Sequence, residues 1–225
     1  MNKKIFIACD TNKNSIAQKI IKNTQTNNLK IGYKFGLEFL NSKSGRNFIS
    51  KIKNKIIFAD LKINDIPNTC IATLKSLNDL KLNYITIHIS SGLEALKAVK
   101  KSSGKTKIVG VTTLTSLNDK SLKEVGLGLN TEDQVLLLAE LCQTEGLNGV
   151  VCSANELSVL RKHLEEDFLL VTPGIRSSGQ ESDDQKRIST ASEAISNGAD
   201  YIVIGREISN EIDPSEKIRQ ILETV

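Results

Sequence analysis

Three charged residues follow one another closely where a strand-like apolar run ends, in the segment 58–65 (sequence FADLKIND). Strand alternation predicts that Asp60 and Lys62 lie on the same face, and Asp65 follows in the next loop. A lysine held between carboxylates keeps its proton, because nearby negative charge favours the charged form. It then offers a fixed proton donor and a fixed positive charge, which a reaction that builds a carbanion needs. A salt-bridge network that closes a strand end gives the same pattern.

Two arginines in the C-terminal part of the chain suggest a site for a phosphate group. Arg206 follows Gly205 at the end of an apolar run, and Arg176 follows the end of the preceding run. Glycine lets a ligand approach the backbone closely, and arginine offers a forked donor to phosphate oxygens. The polar stretch 177–185 is suited to close over a ligand as a lid. Either arginine alone fits a solvated surface loop equally well, but the two together favour phosphate.

These residues lie at the ends of short apolar runs that alternate with helix-like segments. Several runs are continuously apolar, as expected of parallel strands buried on both faces. Eight such units predict a single (β/α)8 TIM barrel over residues 1–225. A doubly wound open sheet is the alternative, but no Gly-rich dinucleotide fingerprint follows the first run. The predicted strands are 5–9, 29–33, 56–60, 84–88, 107–111, 149–152, 168–172 and 201–205, and helical spacing is clearest at 66–80, 131–145 and 155–164.

Composition limits the class of protein. The chain has 225 residues, 39% hydrophobic and 25% charged, with a net charge of +4, which is ordinary for a globular protein. No basic cluster is interleaved with aromatic residues, so we expect no nucleic-acid groove. The first apolar run is too short for a signal peptide and no run approaches a membrane span, so we expect a cytoplasmic protein that does not bind membranes. The four cysteines form no C-x-x-C pair, which disfavours zinc and redox sites.

Taken together, the motifs resemble those of orotidine 5′-phosphate decarboxylases of the bacterial type. They occur in the order and at the spacings of that family, and the resemblance covers essentially the whole chain. The Asp-x-Lys-x-x-Asp element alone is shared with related sugar-phosphate enzymes, whereas the complete set is far more specific. The matching segments are Asp60-x-Lys62-x-x-Asp65-Ile-Pro-Asn-Thr69, residues 172–176 (TPGIR), Asp184-Gln185 and Gly205-Arg206, together with Asp10 and residues 30–32, 112–116 and 150–153.

The resemblance implies decarboxylation of orotidine 5′-phosphate to UMP in pyrimidine biosynthesis, without metal or cofactor. In this family the residue matching Lys62 protonates C6 of the pyrimidine, and the residue matching Asp60 lies beside the departing carboxylate. The residue matching Lys30 belongs to the same charged array. Lys34 competes with it, but Lys30 precedes Ile-Gly as in the family pattern and is preferred. Whether Asp60 destabilises the ground state or preorganises Lys62 is left open.

The resemblance also assigns binding roles and a homodimer. Asp65 and Thr69 match residues that reach into the partner subunit's site, Asp10 matches a ribose ligand, and Thr115 matches a residue that reads the pyrimidine edge. Pro173 matches a residue that lines the base pocket. The phosphate and lid contacts match Arg176, Gln185, Gly205 and Arg206. His88, at the end of the fourth predicted strand, has no catalytic counterpart and is interpreted as a hydrogen-bonded structural residue.

Two rival functions are considered. Mg²⁺-dependent sugar-phosphate decarboxylases or synthases of the same barrel superfamily look similar around Asp60, Lys62 and Asp65. They have a metal-binding glutamate where this chain has Lys30, and a cation at that position disfavours a divalent metal. A non-catalytic phosphate-binding barrel would need only Gly205 and its neighbouring arginine, whereas every charged member of the catalytic set is present here.

Overall fold

The computed structural model describes residues 4–24, 31–176, 189–209, 211 and 213–223. Within these ranges eight parallel strands close into a barrel, in which each strand pairs with the next and the eighth pairs with the first. This arrangement confirms the predicted (β/α)8 barrel. The strands are β1 (Lys4–Ala8), β2 (Ile31–Gly36), β3 (Ile56–Ile63), β4 (Tyr84–His88), β5 (Lys107–Val111), β6 (Gly149–Val151), β7 (Leu169–Thr172) and β8 (Tyr201–Ile204).

Helices lie between the strands, as the βα alternation predicts. The helical spacing expected at 131–145 forms one helix, whereas those at 66–80 and 155–164 each combine a helix with a short 3₁₀ turn. Among the described residues, no helix is both long enough and apolar enough to cross a membrane. The helices are α1 (Asn14–Asn23), α2 (Leu37–Leu40), α3 (Gly45–Lys51), α4 (Pro67–Ser76), α5 (Leu93–Ser102), α6 (Asp119–Glu124), α7 (Thr131–Thr144), α8 (Leu157–His163), α9 (Ala191–Ser196), α10 (Arg206–Ser209) and α11 (Pro214–Glu223).

Local sequence signals explain where several helices begin. Pro67 occupies the first turn of α4, where its missing N–H costs no hydrogen bond. The side chain of Asn130 accepts a hydrogen bond from the backbone N–H of Asp133 and caps α7. Thr190 and Glu193 form a reciprocal capping box at the start of α9. These signals account for the starts of α4, α7 and α9.

Aromatic side chains fill the N-terminal half of the barrel lumen. The ring of Phe6 lies 5.0 Å from that of Phe58, 5.3 Å from Tyr84 and 5.5 Å from Tyr201, measured between centroids. The Tyr84 and Tyr201 hydroxyls are 3.2 Å apart and hydrogen-bonded. A Cβ at Gly32 would lie 2.5 Å from the Phe6 ring, so β2 needs glycine where the ring crosses it. We call Phe6, Phe58, Tyr84 and Tyr201 the aromatic plug; it closes this end of the lumen to ligands.

The larger core lies outside the barrel, between the strands and the helices. Residues that alternate with the lumen positions point outward, such as Ile5 and Ile7 in β1, and both are almost completely buried. They belong to one cluster of buried side chains that runs around the barrel and includes helix residues such as Leu74 of α4 and Val135 of α7. This layer is contiguous around the described part of the barrel and holds the strand ends in fixed relative positions.

Candidate active site

Four charged side chains form a row at the C-terminal end of the lumen. Lys34 Nζ lies 3.2 Å from Asp10 Oδ1 and 3.3 Å from Asp60 Oδ2, and Lys62 Nζ lies 2.8 Å from the same Asp60 oxygen. The signs therefore alternate along the row, which comes from the ends of β1, β2 and β3. We call Asp10, Lys34, Asp60 and Lys62 the charged row. Asp60 and Lys62 are in contact, as strand alternation predicts.

The lysine that β2 contributes is Lys34, the alternative to the preferred Lys30. The preferred residue, Lys30, lies outside the described residues, and β2 begins at the following position. Lys34 lies in the second half of β2, next to Phe58 of β3 in the register, with its side chain in the lumen. A residue near the C-terminal end of a strand reaches the catalytic mouth of a barrel, so this position favours Lys34 for the role in β2, and the assignment to Lys30 stays a prediction.

A bulge in β3 shapes the centre of the row. In the register between β3 and β4, Ala59 pairs with Ile85 and Ile63 pairs with Ile87, so three residues of β3 face Thr86 alone. Lys62 adopts a left-handed backbone conformation there, with φ of 49°. For a residue other than glycine this conformation costs about 1–3 kcal/mol and persists only where its surroundings enforce it. Simple strand alternation therefore predicts the contact between Asp60 and Lys62 but not the backbone that makes it.

Electrostatics keep the centre of the row ionised. Burial opposes ionisation of Asp60, but Lys34 and Lys62 outweigh it and hold the pKa of this carboxyl below its ordinary value of 3.8. Burial likewise disfavours a charge on Lys34, yet Asp60 and Asp10 more than compensate and raise its pKa above 10.5. The side chains of Lys34 and Asp60 are only 11% and 13% exposed, so water screens their interaction weakly. Both groups are charged at neutral pH.

A cavity of about 220 Å³ opens above the charged row. Apolar walls come from residues such as Val151, Val171 and Val203. Eight of the residues predicted for the site line this one cavity: Asp10, Asp60, Lys62, Thr115, Pro173, Arg176, Gly205 and Arg206.

The side of the cavity opposite the row carries the predicted phosphate residues. β7 and β8 are neighbours, so the loops that hold Arg176 and Arg206 are adjacent. Gly205 comes directly before α10, and a Cβ there would still lie 3.4 Å from its nearest neighbour, so packing alone does not require glycine. The backbone N–H of Arg176 donates to the carbonyl of Ser189, which ties together the two sides of the segment 177–188. Gln185 and the predicted lid lie in this segment, outside the described residues.

Asp65 and Thr69 do not line this cavity. Both are exposed at the start of α4, and the Asp65 carboxylate accepts a hydrogen bond from the backbone N–H of Ile66 at 2.7 Å. The Ile66 side chain beside them is 66% exposed. Within the subunit these residues face outward.

Comparisons with known proteins identify the family. Residues 3–221 match the Orotidine 5′-phosphate decarboxylase / HUMPS family. The chain belongs to this family. It is 39% identical over 228 residues to an orotidine 5′-phosphate decarboxylase of Actinobacillus succinogenes, which covers 98% of this chain and 97% of the relative. An orotidine 5′-phosphate decarboxylase of Wolbachia pipientis is 44% identical over 201 residues, covering 87% and 88%.

A solved structure agrees with this family assignment. The crystal structure of orotidine 5′-phosphate decarboxylase from Lactobacillus acidophilus superimposes with a TM-score of 0.86 at 31% sequence identity. The match covers 99% of this chain and 98% of the other. The barrel described here is thus the family fold along nearly its whole length.

Two residues to which the sequence analysis gives no role also shape this family member's site. Thr113 of the loop after β5 is buried in the cavity wall. Thr86 is fully buried, accepts a hydrogen bond from the Lys62 backbone N–H at 2.8 Å and donates one to Asp60 Oδ1 at 3.0 Å. Alternation from Tyr84 along β4 places Thr86 on the lumen face, so that signal was present in the sequence. The hydrogen-bond partners of Thr86 depend on the bulge in β3, and the sequence carries no signal for them.

His88 is two residues beyond Thr86 and is half-buried. Burial and the positive charge of Lys62 lower its pKa, although Asp60 acts in the opposite direction. His88 is therefore neutral at neutral pH, which suits a structural residue better than an acid. Its structural role stays a prediction. In the described part of the chain, no group of three or more His, Cys, Asp and Glu side chains is arranged to hold a metal ion.

Proposed function

We propose that this protein decarboxylates orotidine 5′-phosphate to UMP, using neither a metal ion nor an organic cofactor. The observation that carries the proposal is the charged row at the base of a cavity whose far side holds two arginines. The membership of the Orotidine 5′-phosphate decarboxylase / HUMPS family supports the same reaction. A nucleotide with a carboxylate at one end and a phosphate at the other fits this distribution of charge.

In the proposed reaction the bond between C6 and the carboxylate carbon breaks, and CO₂ leaves. The electron pair stays on C6, in the plane of the pyrimidine ring, where the ring cannot delocalise it. Lys62 donates a proton from Nζ to C6, which completes UMP, and solvent then reprotonates the lysine. A cation fixed at the carbanion stabilises the developing charge without reorganising, because the protein already holds it there. Its contact with Asp60 at 2.8 Å provides that fixed position.

Asp60 and Lys34 are proposed to hold Lys62 in place. Asp60 stays ionised because two lysines flank it, and it lies beside the carboxylate that departs. Lys34, in the role that the sequence pattern gave to Lys30, bridges Asp60 to Asp10. Asp10 has a side chain that is 59% exposed, which leaves it accessible to the ribose hydroxyls. The row thus binds the sugar and orients the proton donor at the same time.

The far side of the cavity is proposed to bind the rest of the nucleotide. Gly205 and Arg206 contact the phosphate, with Arg176 and Gln185 closing over it. Thr115 reads the edge of the pyrimidine and Pro173 lines the base pocket. Binding energy from these remote contacts aligns C6 with Lys62 and lowers the barrier of the chemical step.

The charges of the row support a metal-free reaction. A divalent cation is held by carboxylate, carbonyl and water oxygens. Here the ammonium groups of Lys62 and Lys34 both contact Asp60 Oδ2, at 2.8 Å and 3.3 Å, and Thr86 donates to the other oxygen. A Mg²⁺ ion would have to displace one of them, so the Mg²⁺-dependent sugar-phosphate reactions of the same superfamily fit this arrangement less well.

We also propose that the active unit is a homodimer in which Asp65 and Thr69 reach the partner's site. Both are exposed beside the exposed side chain of Ile66. Other partly exposed apolar side chains follow the neighbouring strands at the same mouth of the barrel, so they could bury one another against a second subunit. They are Leu37, Leu93 and Leu114.

Mixed dimers test this arrangement. Lys62→Ala and Asp65→Ala proteins should each be nearly inactive, but subunit exchange creates mixed dimers with one complete site. Because random exchange makes half of the dimers mixed, about a quarter of wild-type turnover should return. Mass spectrometry verifies that the subunits have exchanged. If activity then does not recover, the proposal of shared sites is contradicted.

The state of the cysteines supports a proposal for the cellular location of the protein. All four are buried and free: Cys9, Cys70, Cys142 and Cys152. Reduced thiols are typical of the cytoplasm, and we propose that location.

The proposed activity is tested by following the ultraviolet absorbance of orotidine 5′-phosphate with EDTA present. Wild type should convert it, and Lys62→Ala should be slower by about 100-fold or more, the scale of a lost general acid. Lys120→Ala is the matched control, because that lysine is 86% exposed on α6. No conversion by folded wild-type protein would contradict the proposal and direct the search to sugar phosphates with Mg²⁺.

A further inference from the structure

Thr86 occupies the one position of β4 that faces the bulge of β3. The segment from Asp60 to Lys62 lies opposite it, since the flanking pairs in the register are Ala59 with Ile85 and Ile63 with Ile87. Thr86 is 0% exposed, so its hydroxyl cannot exchange these partners for bulk water. A small side chain is required here, and valine would have the same shape.

The hydroxyl of Thr86 closes a ring of hydrogen bonds. It accepts from the Lys62 backbone N–H at 2.8 Å and donates to Asp60 Oδ1 at 3.0 Å. The other Asp60 oxygen accepts from Lys62 Nζ at 2.8 Å. The backbone and the side-chain tip of one lysine are therefore both tied to the same carboxylate, the first through Thr86 and the second directly.

The direction of these hydrogen bonds is fixed. A backbone N–H can only donate, so the Thr86 oxygen must accept from Lys62 and its single proton is left for Asp60. This polarity suits an ionised carboxylate, which can only accept. It also opposes relaxation of Lys62 from its left-handed conformation, since turning the peptide away would leave a buried N–H unpaired.

We infer that Thr86 is a positioning residue for decarboxylation, which holds the backbone of Lys62 and the carboxylate of Asp60 so that the ammonium group points at the reacting carbon. This inference rests on the proposed function. Thr86 does not line the cavity, so we assign it an effect through Lys62 and Asp60.

Replacement of the hydroxyl by a methyl group isolates this role. Thr86→Val should lower kcat about 10- to 100-fold, the scale of a lost hydrogen bond to a charged group, with KM changed less than about twofold. Thr86→Ser keeps the hydroxyl and should recover most of kcat. Thr24→Val is the matched control: Thr24 is also fully buried, and its hydroxyl contacts Ile20 O and the Tyr33 hydroxyl in the core outside the barrel, on the opposite side of β2 from the lumen.

The outcome that overturns the inference is a folded Thr86→Val with wild-type kcat, or a Thr86→Ser that is as slow as Thr86→Val. If Thr86→Val does not fold, Thr86→Ala replaces it under the same criteria. Amide hydrogen exchange at Lys62 gives a readout that needs no turnover: it should be at least about tenfold faster in Thr86→Val than in wild type or Thr86→Ser. Wild type without activity would refute the proposed reaction, and unchanged exchange would separately refute the positioning.

Discussion

The two halves of the barrel lumen are built by the same strands and have opposite character. At the N-terminal end, Phe6, Phe58 and Tyr84 belong to the aromatic plug, which is buried and closely packed. Two residues further along β3 and β4, about 6.6 Å nearer the C-terminal mouth, stand Asp60 and Thr86. A spacing of two residues along each strand thus separates side chains that stabilise the fold from side chains that position charged groups.

The contrast has a physical reason. Charges inside a barrel are expensive unless each one has a partner, so the charged row needs strand ends that do not move. The aromatic plug supplies rigidity by close packing beneath the row. We therefore expect substitutions in the plug to change stability and substitutions in the row to change the rate of reaction, and three predictions test this separation.

The largest effect is expected in the plug. Phe6→Ala removes a fully buried ring that contacts three other rings and should lower the free energy of unfolding by about 3–5 kcal/mol. Urea denaturation measures the loss, and the kcat of the folded fraction should stay within about twofold of wild type. Phe6→Leu is the milder companion variant. If kcat instead falls together with the free energy of unfolding, the plug also affects the rate of reaction, which contradicts the proposed division between the two halves of the lumen.

The next effect is expected in the charged row and decides between two lysines. Lys34→Ala removes the bridge between Asp10 and Asp60 and should lower kcat/KM by about 100-fold or more, since an ionic contact to the reacting array is lost. Lys30→Ala should have a much smaller effect. Steady-state kinetics on both variants measure the difference. If kcat/KM falls further in Lys30→Ala than in Lys34→Ala, the role in β2 belongs to Lys30, as the sequence pattern predicts.

The smallest effect is a pH dependence of the free energy of unfolding, which arises from the ionisation of Asp60 in the charged row. The pKa of Asp60 is lowered in the folded state, so its contribution is complete above the ordinary value of 3.8 and is lost as the pH falls through the lower folded value. The difference in free energy of unfolding between wild type and Asp60→Asn should therefore shrink below that pH. Urea denaturation between about pH 3 and 6 measures it. The corresponding difference for Phe6→Ala, which removes no ionisable group, should stay constant.

Much of the fold could be predicted because the strands are short, apolar and buried on both faces. Seven of the predicted runs lie within a few residues of the observed strands, and β3 extends three residues beyond its predicted end. β2 is predicted at 29–33; residues 29 and 30 lie outside the described residues, and the observed strand, Ile31–Gly36, ends three residues later than predicted. Lys34, the fourth of the six residues of β2, interrupts the apolar pattern, and the predicted strand ends just before it.

The candidate site was predictable where a motif places a residue directly at a strand end. Asp10, Lys62, Pro173 and Gly205 are all of this kind, and all line the cavity. The dimer roles of Asp65 and Thr69 stay predictions, since they concern a second subunit. The choice between Lys30 and Lys34 also stays a prediction, since Lys30 lies outside the described residues; that Lys34 reaches the charged row depends on the pairing of β2 with β1 and β3.

The sequence by itself determined the barrel, the row of strand ends and the residue types that meet there, because these follow from local periodicity and motif order. Only the tertiary structure decided which lysine stands between Asp10 and Asp60, and that β3 bulges opposite Thr86. Both depend on the register between neighbouring strands. A buried charge or a left-handed backbone is stable only where a partner from another strand meets it, and no local pattern in one strand records that partner.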